Sequence, residues 1–114
     1  MQAIVPFPIT QWPGVVTIEM PEGAYVLSVR VHEDTPHLWA LTDPNRPDAE
    51  FVFHVRQSFE HYRHDEHGED YIGTFQDPHK EPLAAYVFHV FKARPTKSVR
   101  ETEEDGFSES EDYW

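Results

Sequence analysis

The chain contains no cysteine, few glycines and few basic residues among its 114 residues. Without cysteine it has no disulfide framework, no thiolate metal site and no cysteine nucleophile. Its five glycines are isolated from one another, so no glycine-rich phosphate-binding loop is present. No run of about 18 apolar residues occurs, and the first residues lack the charged and apolar regions of a secretory signal. We therefore expect a cytoplasmic protein that is not embedded in a membrane.

Acidic residues outnumber basic ones: 21 Asp and Glu stand against nine Lys and Arg, which gives a net charge of -12. This charge opposes binding to phosphates, so we do not expect direct binding to nucleic acid. Acidity of this size suits a basic partner, a divalent cation, imitation of a polyanion or simply solubility.

Short runs rich in β-branched and aromatic residues, separated by Pro, Gly, Asp and Asn, predict an all-β fold. Hydrophobic residues make up 39% of the chain, enough for one domain, which we place at residues 1–95. The predicted strands cover residues 15–20, 25–32, 37–42, 50–56, 71–76 and 85–91. Any helix is limited to one or two turns, because Pro or Gly interrupts every stretch of helical spacing. The sequence predicts a small antiparallel β-sandwich or open barrel of about six strands.

Alternation within the strands predicts which side chains are buried. The predicted inward faces are Tyr25, Leu27, Val29 and Val31 in the second strand and Phe51, Phe53 and Val55 in the fourth. Trp39 is interpreted as a core residue and Trp12 as a cover over a sheet edge.

The composition changes towards the C-terminus. Residues 101–114 hold seven acidic residues and no basic one, which leaves a net charge of -5 for residues 1–100. Residues 96–114 are therefore predicted to form a basic-to-acidic tail that is disordered when free. Aromatic residues among the acids suit a peptide that docks into a basic groove. The alternative is a solubilising tail that folds back over Lys92, Arg94, Lys97 and Arg100. The predicted partner-binding residues are Glu103, Glu104, Asp105, Phe107, Glu109, Glu111, Asp112, Tyr113 and Trp114.

Three histidines, His61, His64 and His67, recur at three-residue steps between the fourth and fifth predicted strands. At this spacing they can share one face of a helical turn and offer imidazoles to Zn or Ni, with Asp65 or Asp70 nearby. A solvated loop explains the same residues. No other cofactor is predicted.

Nucleophilic catalysis would need a serine or threonine beside a histidine. His54 and His89 lie inside predicted strands, and Ser28, Ser58 and Thr74 are the available hydroxyls. No nucleophile-elbow pattern surrounds any of them. We interpret both histidines as structural and expect no enzymatic activity.

Four segments taken in order carry a likeness to known sequences. They read Ala-Tyr-Val-Leu-Ser-Val at 24–29, Leu-Trp-Ala-Leu-Thr-Asp-Pro at 38–44, Tyr-Ile-Gly-Thr-Phe-Gln at 71–76 and Val-Phe-His-Val-Phe at 87–91. Together they resemble a family of small bacteriophage and prophage proteins of undefined function, over about residues 13–92. Residues 56–61, Arg-Gln-Ser-Phe-Glu-His, depart from that family's Gly-Thr-Gly-His-like turn. The resemblance implies a viral accessory origin and brings no catalytic residues.

These observations predict a non-enzymatic phage accessory protein that binds a host or phage protein with a basic surface, as an acidic mimic of nucleic acid acting as an inhibitor. The first alternative is an assembly protein that forms homo-oligomers through exposed sheet edges and aromatic residues such as Phe51, Phe53 and Phe91. The second is a metal-binding protein or metal-dependent hydrolase that uses His61, His64 and His67.

Overall fold

A computed structural model describes residues 1–61 and 68–94, which form seven strands and one 3-10 turn. The strands are β1 (Ala3–Pro8), β2 (Gly14–Pro21), β3 (Tyr25–His32), β4 (Thr35–Thr42), β5 (Asp48–Gln57), β6 (Glu69–Gln76) and β7 (Val87–Ala93), and the 3-10 turn is Ala84–Tyr86. The all-β prediction is confirmed. In the described part of the chain no helix has the length and hydropathy that a membrane span requires. The predicted tail, residues 96–114, lies outside the described residues.

The strands form two antiparallel sheets. Sheet A has the order β1-β4-β3, and sheet B has the order β2-β5-β7-β6. Neither sheet closes on itself, and side chains from both fill one core between them, as in a sandwich. The buried core cluster consists of Ile9, Met20, Ala24, Val29, Leu38, Ala40, Phe53, Val55, Phe75, Phe88 and Val90. The predicted inward positions Phe53 and Val55 are fully buried.

The sequence does not predict β1, because Pro6 and Pro8 interrupt it. In the structure β1 is an edge strand of sheet A and pairs with β4 from Ala3 opposite Thr42 to Pro8 opposite His37. Proline lacks an N–H and is tolerated on an edge strand where that position faces away from the ladder.

A β-bulge changes the predicted face of β3. The register against β4 shifts between Val26 and Ser28, so the alternation of inward and outward side chains moves by one residue. Tyr25 and Leu27, which were predicted to face inward, are 67% and 45% exposed. Of the predicted face only Val29 is buried.

The prediction that Trp39 belongs to the core is wrong. In β4 the neighbours of Trp39 on either side, Leu38 and Ala40, are fully buried. Because side chains alternate along a strand, Trp39 lies on the outer face of sheet A, where it is half-buried.

Trp12, predicted as a cover over a sheet edge, packs against the core. Its ring meets the Phe75 ring edge-on at 5.7 Å between centroids. Its Nε1–H donates a hydrogen bond to Asp77 Oδ2 at 3.3 Å.

Three of the four sheet edges carry features that oppose pairing with another strand. In β1 these features are the two prolines. In β3 and β6 they are bulges, and the two strands also lie side by side. A Cβ built on Gly73 of β6 would stand 2.8 Å from Val29 Cγ1 of β3, which shows how closely the sheets approach there.

The edge of β2 has none of these features. Its eight residues pair with β5 without a register shift, from Gly14 opposite Val55 to Pro21 opposite Asp48. Neither proline nor lysine occurs in residues 15–20. Within the described residues, β2 is therefore the edge that is open to a further strand.

Candidate functional site

Most of the predicted site residues lie outside the described residues, namely the tail positions 103–114 together with His64 and His67. His61 is described and is exposed. Asp70, which was considered as an additional ligand, pairs with Arg94, whose Nε lies 3.0 Å from Asp70 Oδ1. The described residues contain no group of three or more side chains placed to hold a metal ion. The metal site stays a prediction.

The aromatic residues considered for homo-oligomerisation are not exposed, and that choice of residues is wrong. Phe53 is fully buried in the core, and Phe91 is only 9% exposed. Phe91 lies on the outer side of sheet B, where the Arg56 guanidinium covers its ring at 4.9 Å and the Tyr71 ring lies 5.5 Å away. Phe51 is half-buried. Of the features considered for homo-oligomerisation, only an exposed sheet edge remains among the described residues.

Acidic and apolar side chains lie together on the outer side of β2 and β5. Thr17 stands opposite Val52, and Glu19 stands opposite Glu50. Val15 and Val52 are 63% and 41% exposed, and both glutamates are exposed. We define the β2–β5 outer surface as Val15, Thr17, Glu19, Glu50 and Val52.

Glu19 and Glu50 place two like charges directly opposite each other across the ladder. Like charges directly opposite each other destabilise a sheet. The described ion pairs of arginine involve other carboxylates: Glu22 with Arg46, Glu69 with Arg56 and Asp70 with Arg94. Neither glutamate has an ion-pair partner among the described residues. A cation brought by another molecule would relieve this repulsion.

A buried ion pair crosses the outer side of sheet B. Arg56 of β5 and Glu69 of β6 are 4% and 8% exposed. Arg56 Nη1 lies 2.7 Å from Glu69 Oε1, and Nη2 lies 3.5 Å from Oε2. Because β7 lies between β5 and β6, the pair spans the Phe91 ring and ties together strands that are not neighbours. His54 Nδ1 adds a contact of 3.9 Å to Glu69 Oε2.

Hydroxyl groups hold both ring nitrogens of His89 near the end of β5. Nε2 lies 2.8 Å from Ser58 Oγ, and Nδ1 lies 3.1 Å from Thr74 Oγ1. The Thr74 hydroxyl is also hydrogen-bonded to the Tyr71 hydroxyl. We call Ser58, His89, Thr74 and Tyr71 the hydroxyl–imidazole relay. Every polar atom of the imidazole is satisfied, which agrees with a structural role for His89 and also meets the contact condition for an activated serine.

The outer face of sheet A differs in character. Across β1, β4 and β3 its side chains form three rows: Ile4, Leu41 and Tyr25; then Pro6, Trp39 and Ser28; then Pro8, His37 and Arg30. The three strands of sheet A contain no Asp or Glu. Trp39 Nε1 is buried there without a hydrogen-bond acceptor in the described structure.

Residues 1–101 match the model of a protein family described as a domain of unknown function, DUF7352. The chain belongs to this family. The match spans all the described strands, so both sheets and the relay are parts of the DUF7352 domain. The family description states neither a function nor a phage source. Searches of curated proteins and of solved structures found no match.

Two features of the DUF7352 domain were missed by reasoning from the sequence. Ser58, Thr74 and His89 were each considered, but their adjacency was not, because 15 and 31 residues separate the two hydroxyl residues from the histidine. The pairing of Glu19 with Glu50 depends on the register of β2 against β5. No local spacing signals either contact, since strand pairing between distant segments leaves no pattern within each segment.

Proposed function

We propose that this DUF7352 protein is a non-enzymatic binding protein that accepts an extended, basic segment of a partner protein along the free edge of β2. The observation that carries the proposal is the edge of β2, which is open among the described residues, beside Glu19 and Glu50, which face each other with no ion-pair partner in that part of the chain. A phage accessory origin, and inhibition of a nucleic-acid-binding partner by charge mimicry, belong to the same proposal.

An edge strand presents backbone N–H and C=O groups that can pair with an incoming strand. Addition to β2 would extend sheet B from four strands to five. Successive side chains of an extended segment point to opposite faces, so a segment of alternating basic and apolar residues places all its cations on one face of sheet B. With the cations on the outer face, they would stand near Glu19 and Glu50. The apolar side chains would then lie on the inner face, beside Val16 and Ile18, which pack against the core.

The net charge of -12 distinguishes a basic partner from a second copy of the chain. Like charge opposes self-association, whereas opposite charge accelerates encounter and excludes acidic competitors. The acidic residues predicted for partner binding in residues 101–114 would add to this attraction. That contribution is a proposal about residues outside the described structure.

A defined peptide tests the proposal on the full-length protein. The probe is a fluorescently labelled peptide of alternating lysine and valine that matches the eight residues of β2. We expect the double variant Glu19→Gln/Glu50→Gln to bind it about tenfold more weakly, a change of roughly 1.4 kcal/mol. Fluorescence anisotropy at several salt concentrations gives the dissociation constants.

The matched control is Glu33→Gln/Asp34→Asn, which removes the same charge from the exposed turn between β3 and β4. We expect this variant to bind within about twofold of the unchanged protein, since the effect of distant exposed charges is screened by salt. Equal weakening in both double variants would show general electrostatic attraction and contradict a site at β2.

A second peptide with prolines at alternate central positions separates strand addition from charge attraction, because proline cannot donate to a ladder. We expect this peptide to bind poorly, and we expect only the original peptide to slow hydrogen exchange of the β2 amides. Undiminished binding of the proline peptide would overturn strand addition. Dimerisation that the original peptide displaces would point to a second copy as the occupant of the edge.

A further inference from the structure

We infer that Ser58 is a reactive nucleophile that accepts an acyl group from an activated ester, with His89 as the base. The site lies past the C-terminal end of β5, whereas Glu50 lies near the start of that strand. The inference is therefore independent of partner binding at β2. It concerns stoichiometric acylation of the protein and does not require turnover.

The first support is the contact between the two reacting side chains. Ser58 Oγ and His89 Nε2 are 2.8 Å apart, which is within the range required for proton transfer from a hydroxyl to a base. On the opposite side of the ring, Thr74 Oγ1 lies 3.1 Å from Nδ1. When Nδ1–H donates to Thr74, Nε2 carries the lone pair that accepts the serine proton.

The hydroxyl–imidazole relay also has a reverse direction. Tyr71 can donate to Thr74, Thr74 to Nδ1, and Nε2–H to Ser58 Oγ, so that each group keeps its hydrogen-bond partner. In that direction the imidazole cannot accept the serine proton. Reactivity of Ser58 therefore shows which direction of hydrogen bonding the protein populates. If the role of His89 is purely structural, Ser58 will not react.

The second support is the fixed position of Ser58. Its N–H donates to the Val87 carbonyl at 2.9 Å, and the preceding N–H of Gln57 donates to Glu60 Oε1 at 3.2 Å. The next residue, Phe59, has a positive φ of 74°, a conformation that costs a non-glycine residue free energy. A side chain held in this way needs little reorganisation to react.

The third support is space for the acyl donor. A cavity of about 360 Å³ adjoins both reacting groups, and Phe59 and Phe91 form apolar parts of its lining. That volume is at the lower end of small-molecule sites. Arg56, Gln57 and Glu60 complete the lining, and the space admits a short acyl group.

The expected reaction is transfer of the acyl group from the ester to Ser58. Ser58 Oγ attacks the ester carbonyl carbon while its proton passes to His89 Nε2. The bond from that carbon to the leaving oxygen then breaks and releases the alcohol or phenolate, and the imidazolium returns its proton to the leaving group or to water. The result is an ester on Ser58. Among the described residues the partner of His89 Nδ1 is the Thr74 hydroxyl and not a carboxylate, so we expect slower acylation than in Ser-His-Asp hydrolases.

The test is treatment of the full-length protein with p-nitrophenyl acetate, followed by mass spectrometry of proteolytic peptides. We expect an acetyl ester on Ser58 that hydroxylamine removes, and we expect none at that position in Ser58→Ala. His89→Gln should slow the reaction by about 100-fold or more, the usual contribution of a general base. Ser28→Ala should leave the rate unchanged. Circular dichroism confirms that each variant is folded.

Thr74 is a positioning residue, and its test uses a separate readout. Thr74→Val removes the acceptor for Nδ1–H and should lower the rate, whereas Thr74→Ser should restore it. Absence of acetyl on Ser58, a rate in His89→Gln equal to that of the unchanged protein, or failure of Thr74→Ser to restore the rate lost in Thr74→Val would each overturn the inference.

Discussion

Sheet B carries acidic residues on three of its four strands, whereas the strands of sheet A carry none. Both sheets have a buried inner face and an outer face that follows the same alternation. On sheet B the outer face holds the Arg56–Glu69 ion pair and the hydroxyl–imidazole relay. On sheet A it holds three rows of mostly apolar and aromatic side chains, with Trp39 at the centre and no acidic residue.

The difference shows two ways of covering a strand surface. Polar groups on sheet B find partners on strands that are distant in sequence, so the contacts depend on one register of β5, β7 and β6. Side chains on sheet A make local contacts, such as that of His37 Nδ1 with the Thr35 carbonyl at 2.8 Å, and the Trp39 N–H has no acceptor among the described residues. We therefore expect sheet B to be sensitive to loss of single polar groups and sheet A to tolerate such losses.

The largest expected effect follows from breaking the ion pair on sheet B. Glu69→Ala removes the carboxylate whose Oε1 lies 2.7 Å from Nη1 of the buried Arg56 guanidinium. Removal of one partner from a buried pair typically costs about 3–5 kcal/mol. Urea unfolding of the variant should show a loss of this size in the free energy of unfolding.

The control replaces both partners, as in Arg56→Met/Glu69→Leu. Apolar replacement of a complete buried pair is often neutral or stabilising, so this double variant should recover most of the lost stability. A loss below about 1 kcal/mol in Glu69→Ala would show that water reaches the pair, in line with the screening of exposed ion pairs. The contrast between the two faces would then be lost.

An intermediate effect is expected where the two sheets meet. Gly73→Ala places a Cβ within 2.8 Å of Val29 Cγ1, which forces β3 and β6 apart. Overpacking of this kind costs about 1–3 kcal/mol. Denaturant unfolding of Gly73→Ala and of Gly73→Ala/Val29→Ala tests the cause. If the clash with Val29 is responsible, Gly73→Ala should lower the free energy of unfolding only slightly in a protein that already carries Val29→Ala. An equal cost of Gly73→Ala in both backgrounds would point to the backbone and exclude this contact as the cause.

The smallest effect on stability is expected for a substitution of Trp39 on sheet A. The same substitution at Trp12 provides the comparison. Trp39→Phe removes an N–H that has no acceptor in the described structure. A buried unsatisfied donor costs about 1–3 kcal/mol, which offsets the packing lost with the smaller ring. We expect the free energy of unfolding to change by less than about 1 kcal/mol, measured by thermal and urea unfolding.

Trp12→Phe provides the matched substitution at a tryptophan that makes its hydrogen bond. This variant loses the donation to Asp77 Oδ2, and bonds to charged groups contribute about 1.5–3 kcal/mol. It should therefore be the less stable of the two. The reverse order would show that ring volume dominates and that the unsatisfied N–H of Trp39 has little effect.

The sequence was informative wherever the deciding interaction is local. Alternation predicted burial of Phe53 and Val55, and the break predicted between residues 20 and 25 is the turn after β2, where Gly23 has a φ of 81°. The same reasoning failed at Tyr25 and Leu27, since a bulge in the pairing with β4 shifts the alternation. It missed β1 because proline is excluded from central strands but not from edges.

The candidate sites were harder to predict because each joins residues from different strands. Histidine, serine and threonine occur in most sequences, and their proximity around His89 depends on Thr74 standing opposite it in the β6–β7 ladder. Likewise, an acidic residue in β2 does not by itself indicate a binding site. It does so only when the register places a second acidic residue opposite it. The predicted residues of the tail and of the histidine loop beyond His61 lie outside the described structure and stay predictions.

By itself the sequence determined the all-β class, the approximate positions of six strands and the acidic balance of the chain. These depend on side-chain chemistry within a few residues, because period-two alternation and turn residues act locally. Only the tertiary structure decided which edge stays open, which face Trp39 occupies and which side chains meet at Glu50, Glu69 and His89. Those outcomes depend on strand order and register, which are set by packing of the whole core and not by any single segment.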